Sequence, residues 1–513
     1  MPPIYIGSSP VSALRVGAQI VSAVYVGSTL AYPSTSTLFA AGEQGVWYDP
    51  SDMSTMYQDA AGTTPVYMPG QGQVDPPVGL LLDNRLGLAR GPERLTNGSF
   101  SAGAAGWNVT GADATHIATF ADGKVRYQSD TTSPALTLSQ AAAGLVPDSY
   151  YEILITLSSW VSGSLKTDSL QPMGTAIGLQ FTFSGVGTYR FVGKAIASNF
   201  GILRAVTNVD LTIDSISIKE LSGNHAYQPT TTSRPTLSAR YNLLTATDTL
   251  TTQSVTTVAT SYTLKLTGAG SVTLSGTAAG SYSAGTYTIT CTAGSLTLTV
   301  SGSVTQADLR IANDGVGLPA YQRVVDADTY DTVGFPLYLR FDGVDDWLQT
   351  AAVDFSGTDV VTIATAYRKM SDVSVGELFA LSGNPTANAG TFGLHTPEAV
   401  GGTAAAVFFA RGASSTSSGQ RPGAAPISCV AGGWASLSMP YMRYRINQGV
   451  PVTSSAATGG GNYGVYPLFI GRRNGSYFPF NGRLYSLLIR GAATPDTTVA
   501  MVESYLNQKA RIY

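Results

Sequence analysis

Between residues 241 and 318 apolar and hydroxyl side chains alternate with little interruption, and this two-residue period narrows more than any other feature what the chain can fold into. Tyr262, Leu264 and Leu266 fall on one face of a strand, as do Val272 and Leu274, then Tyr287, Ile289 and Cys291, then Leu296, Leu298 and Val300. Thr and Ser largely fill the opposite face. A strand turns successive side chains to opposite sides, so the pattern specifies a small antiparallel sandwich with one wet face. The β signature extends beyond this segment. Only 12% of the 513 residues are charged, against about 25% in ordinary globular proteins, while 57 Gly and 26 Pro supply turns between Thr-, Val- and Tyr-rich segments. The chain therefore reads as all-β, and at this length as tandem modules rather than one core.

Bulk properties exclude several partners. The net charge is −3 and no Lys/Arg cluster stands out, so nucleic acid is not expected. No apolar run reaches the roughly 18 residues of a membrane span, and MPPIYIGSSP lacks the basic start and apolar run of a secretion signal. Membrane insertion is not expected, and the protein should be made in a cytoplasm and reach the outside by assembly. Cys291 and Cys429 fall in different modules and read as buried hydrophobes rather than a disulfide.

Five segments follow in order. Residues 1–33 contain a ten-residue repeat, IYIGSSPVSA, LRVGAQIVSA and VYVGSTLAYP, with Gly7, Gly17 and Gly27 at its fourth position. Strand, glycine turn and short strand satisfy it, and so small a β-segment should be stabilised by identical neighbours or by docking onto another protein. Residues 34–90 read as a connector. Trp47 and Tyr48 are its apolar anchors and make it a clamp rather than a core, while residues 78–82 form an apolar patch for a neighbouring module. Residues 91–221 read as a β-sandwich with strands at 150–157, 176–183, 189–195 and 211–218. Residues 222–318 hold the Thr-rich sandwich, read as a spacer, and Ala226-Tyr227-Gln228 returns as Ala320-Tyr321-Gln322 to mark two module exits. Residues 319–513 form the largest module. Its closing helix should be capped by Thr494, start at Pro495 and bury Val499, Val502, Tyr505 and Leu506.

Catalytic chemistry finds little footing. His116, His225 and His395 stand in no recognisable motif, and no nucleophile elbow, metal-spaced His pair or phosphate loop is present. Asp342, Asp345 and Asp346 could cap a turn, hold a cation or act as paired acids; turn capping is the preferred reading, since Asp342 and Asp345 bracket Gly343. No enzyme activity is expected and no cofactor is required. Sugar binding asks for a flat aromatic ring beside planar hydrogen-bond donors. Tyr463, Tyr466, Arg472, Arg473 and Tyr477 supply both on loops flanking one strand; Trp160, beside a turn, is a better exposed platform than Trp107, which reads as a core plug.

Three resemblances sharpen this. LFAAGEQGVWYDPSDMSTMYQDAAGTTPV, at residues 38–66, resembles a sequence that recurs in structural proteins of tailed bacteriophages just upstream of lectin-like modules. The N-terminal glycine repeat is similar to those opening phage tail and fibre proteins, and the Thr-rich insert to phage inserts between such exits. Asn97-Gly98-Ser99-Phe100 with Gly106-Trp107, and Ile213-Asp214-Ser215-Ile216-Ser217-Ile218, resemble carbohydrate-binding jelly rolls attached to bacterial glycosidases. In that family a structural calcium often ties first strand to last, which implies Asp214 as a ligand; an ordinary strand aspartate is the plainer alternative. LRFDGVDDWL at 339–348 and FNGRLYSLLI at 480–489 resemble the concanavalin A-like (laminin G-like) jelly roll, across the whole last module. Together the resemblances imply a virion component, attached through its N-terminus to other virion proteins, homotrimeric by analogy, and contacting host cell-surface polysaccharide as a tail fibre, baseplate or head-fibre adhesin. The alternative is a decoration protein touching only other virion subunits.

Overall fold

The computed structural model describes residues 38–512 apart from 41, 71–73, 89, 176, 206, 313–316, 386 and 399–403; before residue 38 it describes the backbone of six short strands. These pair as three hairpins, one per ten-residue repeat: Tyr5–Ile6 with Ser9–Pro10, Arg15–Val16 with Gln19–Ile20, and Ala23–Val26 with Thr29–Pro33. The turn glycines Gly7, Gly17 and Gly27 lie outside the described residues. Everything else is built from antiparallel sheets and one C-terminal helix, an all-β architecture of stacked sandwiches.

The largest body is two sheets facing each other across one core. The nine-stranded sheet runs Thr416–Arg421, Ala406–Arg411, Thr391–His395, Glu377–Leu381, Val465–Ile470, Leu348–Asp354, Ala226–Tyr227, Leu80–Leu81, Met56–Tyr57. The facing sheet runs Thr236–Ser238, Tyr338–Asp342, Asn481–Arg490, Val360–Lys369, Ile427–Ser436, Tyr441–Ile446, Val452–Ser454, with Gly45–Tyr48 also pairing along Asn481–Arg490. Alternate residues such as Phe379, Leu394, Phe408, Leu468 and Ile470 meet Ile363, Tyr367, Leu487 and Ile489 in the shared core. The C-terminal helix, Asp496–Ala510, covers the other face of the second sheet with Val502 and Leu506.

Strand pairing departs from the linear reading in one large respect. The stretch read as a connector is part of this sandwich: Val46, Tyr48, Met56, Val78 and Leu81 sit in its core, and Gly45–Tyr48 lies beside Asn481–Arg490. Trp47 points to the opposite side, edge-on to Tyr505 at 6.2 Å. Linear composition cannot separate a short strand that completes a distant sheet from a linker, because its partner lies more than four hundred positions away. The helix differs too. Pro495 is its cap and Thr494 caps nothing; the Thr494 hydroxyl accepts from Arg490 Nη1 at 2.9 Å.

Residues 90–221 form a sandwich of their own. One sheet runs His116–Ala121, Lys124–Ser129, Val209–Leu221, Tyr150–Ser162, Gly187–Ala195, Leu170–Gln171, with Arg90–Glu93 on the Val209–Leu221 strand; the other runs Asn108–Thr110, Thr137–Gln140, Phe200–Arg204, Leu165–Lys166, Gln180–Phe181. The strand expected at 176–183 shrinks to Gln180–Phe181. Between residues 241 and 318 a four-stranded and a three-stranded sheet enclose Tyr262, Leu264, Leu266, Val272, Leu274, Ile289, Cys291, Leu296 and Leu298, as the alternation requires.

Both sandwiches are loops out of the largest body, and buried polar groups close each loop at its base. Asp83 is fully buried and accepts from Trp47 N at 2.9 Å, Asn224 N at 2.8 Å and Arg85 Nε at 2.8 Å, while its own N–H donates to His225 Nδ1 at 3.0 Å. At the second base Gln322 accepts from Tyr241 N at 2.6 Å and Asn242 N at 2.9 Å. These are the two Ala-Tyr-Gln segments: each glutamine is buried and fully engaged, Gln228 donating to Trp347 O at 3.1 Å.

Candidate functional site

Registered pairing lines up one outward residue from each strand of the nine-stranded sheet: Ser418, Phe409, Gly393, Ala380, Phe469, Gln349, Tyr227, Leu80 and Tyr57. Their chain neighbours point into the core, so this row belongs to the outer face. At one end Tyr57, Leu80 and Tyr227 are roofed by Tyr150, Met173, Val192 and Leu221, most of them from the first sandwich. Toward the other, the segment 471–480 folds back over the face.

Local chemistry explains the fold-back. Gly471 has φ +83°, a conformation that L side chains rarely adopt, and it breaks the alternation of Val465–Ile470. Asn474 (φ 49°) and Gly475 (φ 62°) then make a tight Asn-Gly turn, closed by Arg473 N donating to Tyr477 O at 2.8 Å and Tyr477 N to Arg473 O at 3.0 Å. The turn lies on Trp347, whose ring would be 2.7 Å from a Cβ at Gly475.

Beneath the hairpin runs a buried charge relay. Glu377 has no exposed surface, and its Oε2 accepts from Arg473 Nε at 2.8 Å and Nη2 at 2.5 Å, with His395 Nε2 2.9 Å away. His395 Nδ1 is bonded to Glu398, whose side chain is 46% exposed. Burial by itself would lower the imidazole, but Glu377 and Glu398 outweigh it and lift the group to about 9. The hydrogen bond from His395 in turn holds Glu398 below the usual carboxylate range. Phe409 and Phe478 flank the imidazole with centroids at 4.9 and 5.9 Å, and the Arg473 guanidinium lies 4.6 Å from the Phe478 centroid.

The residues proposed from sequence do not converge on one place. Tyr463 is buried, its ring 5.3 Å from Phe392 and its hydroxyl donating to Ala435 O at 3.3 Å, so it offers no face to a sugar. Arg473 is likewise spent on Glu377. Tyr466 is partly buried at the opposite end of its strand from the hairpin and donates to Ala389 O at 3.3 Å. Trp160 packs against the first sandwich's core and gives its indole N–H to Gly163 O at 3.0 Å; Trp107 is buried and bonded to Asn97 O at 3.1 Å. Tyr477 is 61% exposed and Arg472 half-buried beside it. Among the described residues no other aromatic stands as far into solvent as Tyr477. Glu377 was not singled out and His395 stood in no recognisable motif, since no spacing marks a buried ion pair between strands.

At both candidate metal sites the carboxylates already have protein partners. Lys124 Nζ lies 3.3 Å from Asp214 Oδ1 on the neighbouring strand, so an ammonium already supplies the positive charge there. Asp342, Asp345 and Asp346 bring three carboxylates within 4.8 Å of one another. Asp342 Oδ1 caps Val344 N at 2.7 Å and Asp345 N at 3.2 Å, Asp346 Oδ2 accepts from Asp342 N at 3.0 Å, and Asp345 accepts from Ser233 Oγ at 3.0 Å. This is turn chemistry. Burial, with Asp342 close by, lifts Asp346 to about 7.

The two best-formed cavities have room for about one water each; one lies under the helix, lined by Leu38, Ala364, Leu488 and Val502.

No family model matches the chain, and no curated protein matches it. Among solved structures it is similar to the CBM40 of Ruminococcus gnavus IT-sialidase, at 15% identity over 30% of this chain and 97% of that one, with a TM-score of 0.24. It is similar also to the NanB sialidase from Streptococcus pneumoniae, at 14% identity, 31% and 26% coverage and a TM-score of 0.23, and to a leech intramolecular trans-sialidase, at 14%, 28%, 23% and 0.23. Likeness at this level assigns neither ligand nor chemistry.

Proposed function

We propose that the chain is a structural protein of a tailed-phage virion, a projecting fibre or tail-tip component that binds host surface polysaccharide without cleaving it. The observation that carries the binding is Tyr477, held out at 61% exposure by a hairpin latched onto the sheet through Arg473 and Glu377. A rigid exposed aromatic beside polar groups gives a sugar ring an apolar platform at little cost in ordering. Non-cleavage is supported by two carboxylates that are already engaged: Glu377 is buried against Arg473 and Asp342 caps its own turn. Phage origin is supported by the wording of residues 38–66 and by the three N-terminal hairpins, which suit attachment to the particle as a homotrimer. Decoration, the second reading, draws on the burial of Tyr463, Trp107 and most other aromatics.

The test is binding of the full chain to an array of bacterial surface polysaccharides, with product analysis, alongside its light-scattering mass. Saturable binding without cleavage and a mass of three chains are expected. A folded protein that binds nothing across a broad array shifts the reading to decoration, released oligosaccharide would make it an enzyme, and a mass of one chain removes the trimer.

A further inference from the structure

Resting on the adhesion reading, we propose that the hairpin at residues 472–478 recognises an anionic sugar, the Arg472 guanidinium taking its carboxylate or phosphate and the Tyr477 ring its apolar face. Arg94, Arg190, Arg204, Arg411 and Arg472 each have a buried N–H lacking an acceptor. Three of them have a strong partner elsewhere on the guanidinium: Arg94 has Glu220 at 2.7 Å, Arg190 has Glu152 at 2.8 Å and Arg204 has Thr132 O at 2.8 Å. Arg472 makes one long bond, 3.4 Å to Ser476 O, and among the described residues no carboxylate pairs with it. Its Nε is shielded from water and so from a ligand, which leaves the Nη groups, whose one bond is in an exposed setting, as the donors a ligand would meet.

A half-buried guanidinium with no carboxylate partner can take an oxyanion at its outer edge, since its planar fork matches carboxylate and phosphate and charge-assisted bonds are the strong ones. Its single bond goes to the residue preceding Tyr477, so cation and exposed ring share one rigid turn. The Arg473–Glu377 pair fixes that turn before ligand arrives, which spares the ordering cost of binding. Arg411, bonded only to Thr416 Oγ1 at 3.5 Å, is the closest parallel, but it lies on Ala406–Arg411, three strands from the strand that feeds the hairpin. A net charge of −3 provides no general attraction for polyanions, so selectivity for them must come from a local cation.

The experiment measures binding of the full chain to hyaluronate and polygalacturonate, to a ribitol-phosphate teichoic acid, to carboxyl-reduced polygalacturonate and to dextran. At least one anionic polymer should bind tenfold or more tighter than dextran and the reduced polymer. Arg472→Gln should remove that advantage, Arg472→Lys should keep part of it, and Arg411→Gln should change binding less than twofold. Carboxylated against phosphate polymers distinguishes the two oxyanions. Equal binding to anionic and neutral polymers overturns the inference and leaves adhesion standing, as does an Arg472→Gln protein with unchanged melting and unchanged binding. A cooperatively melting protein that binds no polymer overturns both.

Discussion

Glu377 takes its hydrogen bonds on Oε2 and leaves Oε1 buried without a partner, so its place in the core rests on Arg473 and His395. Glu377→Gln would strand Arg473 in a buried site, and removal of one member of a buried pair typically costs about 3–5 kcal/mol. Glu398→Gln removes a carboxylate that water already screens, and the cost should stay within about 1 kcal/mol. Urea denaturation of the two variants checks the contrast; equal losses would mean the relay is not what holds the hairpin. Titration adds a direction. His395 sits at about 9 in the folded chain against about 6.5 unfolded, so its stabilising share is complete below 6.5 and lost as pH rises through 9. His225 behaves oppositely: burial pulls it down to about 4, and its share is complete above 6.5 and lost as pH falls through 4. The stability gap between the wild type and His395→Gln should therefore close toward pH 9, and that between the wild type and His225→Gln toward pH 4, as melts at stepped pH would measure. Tyr477 was legible as an aromatic on a loop flanking a strand. Tyr463 was not, since one residue of register moves a side chain from solvent to core and only the partner strand sets the register.

At the scale of elements, Gly471 decides whether the strand Val465–Ile470 can end in a hairpin that turns back over its own sheet. A Cβ there would be 2.2 Å from the Phe341 ring, and φ +83° adds strain for any other residue. Gly471→Ala should cost about 2 kcal/mol or more in stability and expose Arg473–Asn474 to trypsin, whereas Gly461→Ala, also at positive φ but with open space around its Cβ, should leave that bond protected. An unchanged cleavage rate for Gly471→Ala would show that the hairpin holds without this break. The strands that follow a two-residue period were readable because each carries its own pattern. Gly45–Tyr48 was not: all four of its residues are buried, Val46 and Tyr48 toward one core and Trp47 toward the helix, so no alternation of apolar and polar marks it as a strand.

The whole molecule is nested rather than beaded. The body made of the nine- and eight-stranded sheets collects residues from before, between and after two inserted sandwiches, and each insertion leaves and returns at a point closed by buried hydrogen bonds. The chain order could show where modules end, and the repeated Ala-Tyr-Gln did mark both returns; it could not show that the two ends of an insertion touch. Asn242 Nδ2 donates to Gln322 O at 2.9 Å, and Gln322 Nε2 donates back to Ala239 O at 2.8 Å, so the base of the Thr-rich sandwich belongs to the larger body. The Thr-rich core, including Leu264, Leu274 and Leu298, is closed around its own residues apart from a contact with Met370. Removing residues 244–320 and joining the ends through two or three glycines should therefore leave the larger body folded. The deletion exchanges a long loop for a short one, a change that favours the folded state by only about 0.6 kcal/mol per halving of loop length. Its cost is the loss of the bonds that cross the cut, about 1 kcal/mol for each one left unmade: Asn242 donates to Ala307 O and accepts from Leu309 N, Gln322 N donates to Asp308 Oδ2, Val324 N donates to Thr247 Oγ1, and Ala246 N and Thr247 N donate to Val325 O and Val324 O. The shortened chain should still melt cooperatively, at a lower temperature than the full one, with the tryptophan near-ultraviolet dichroism retained, because all five tryptophans, Trp47, Trp107, Trp160, Trp347 and Trp434, lie outside the deleted segment. Loss of that signal or aggregation on purification would mean that the Thr-rich sandwich supports its host and is more than a spacer.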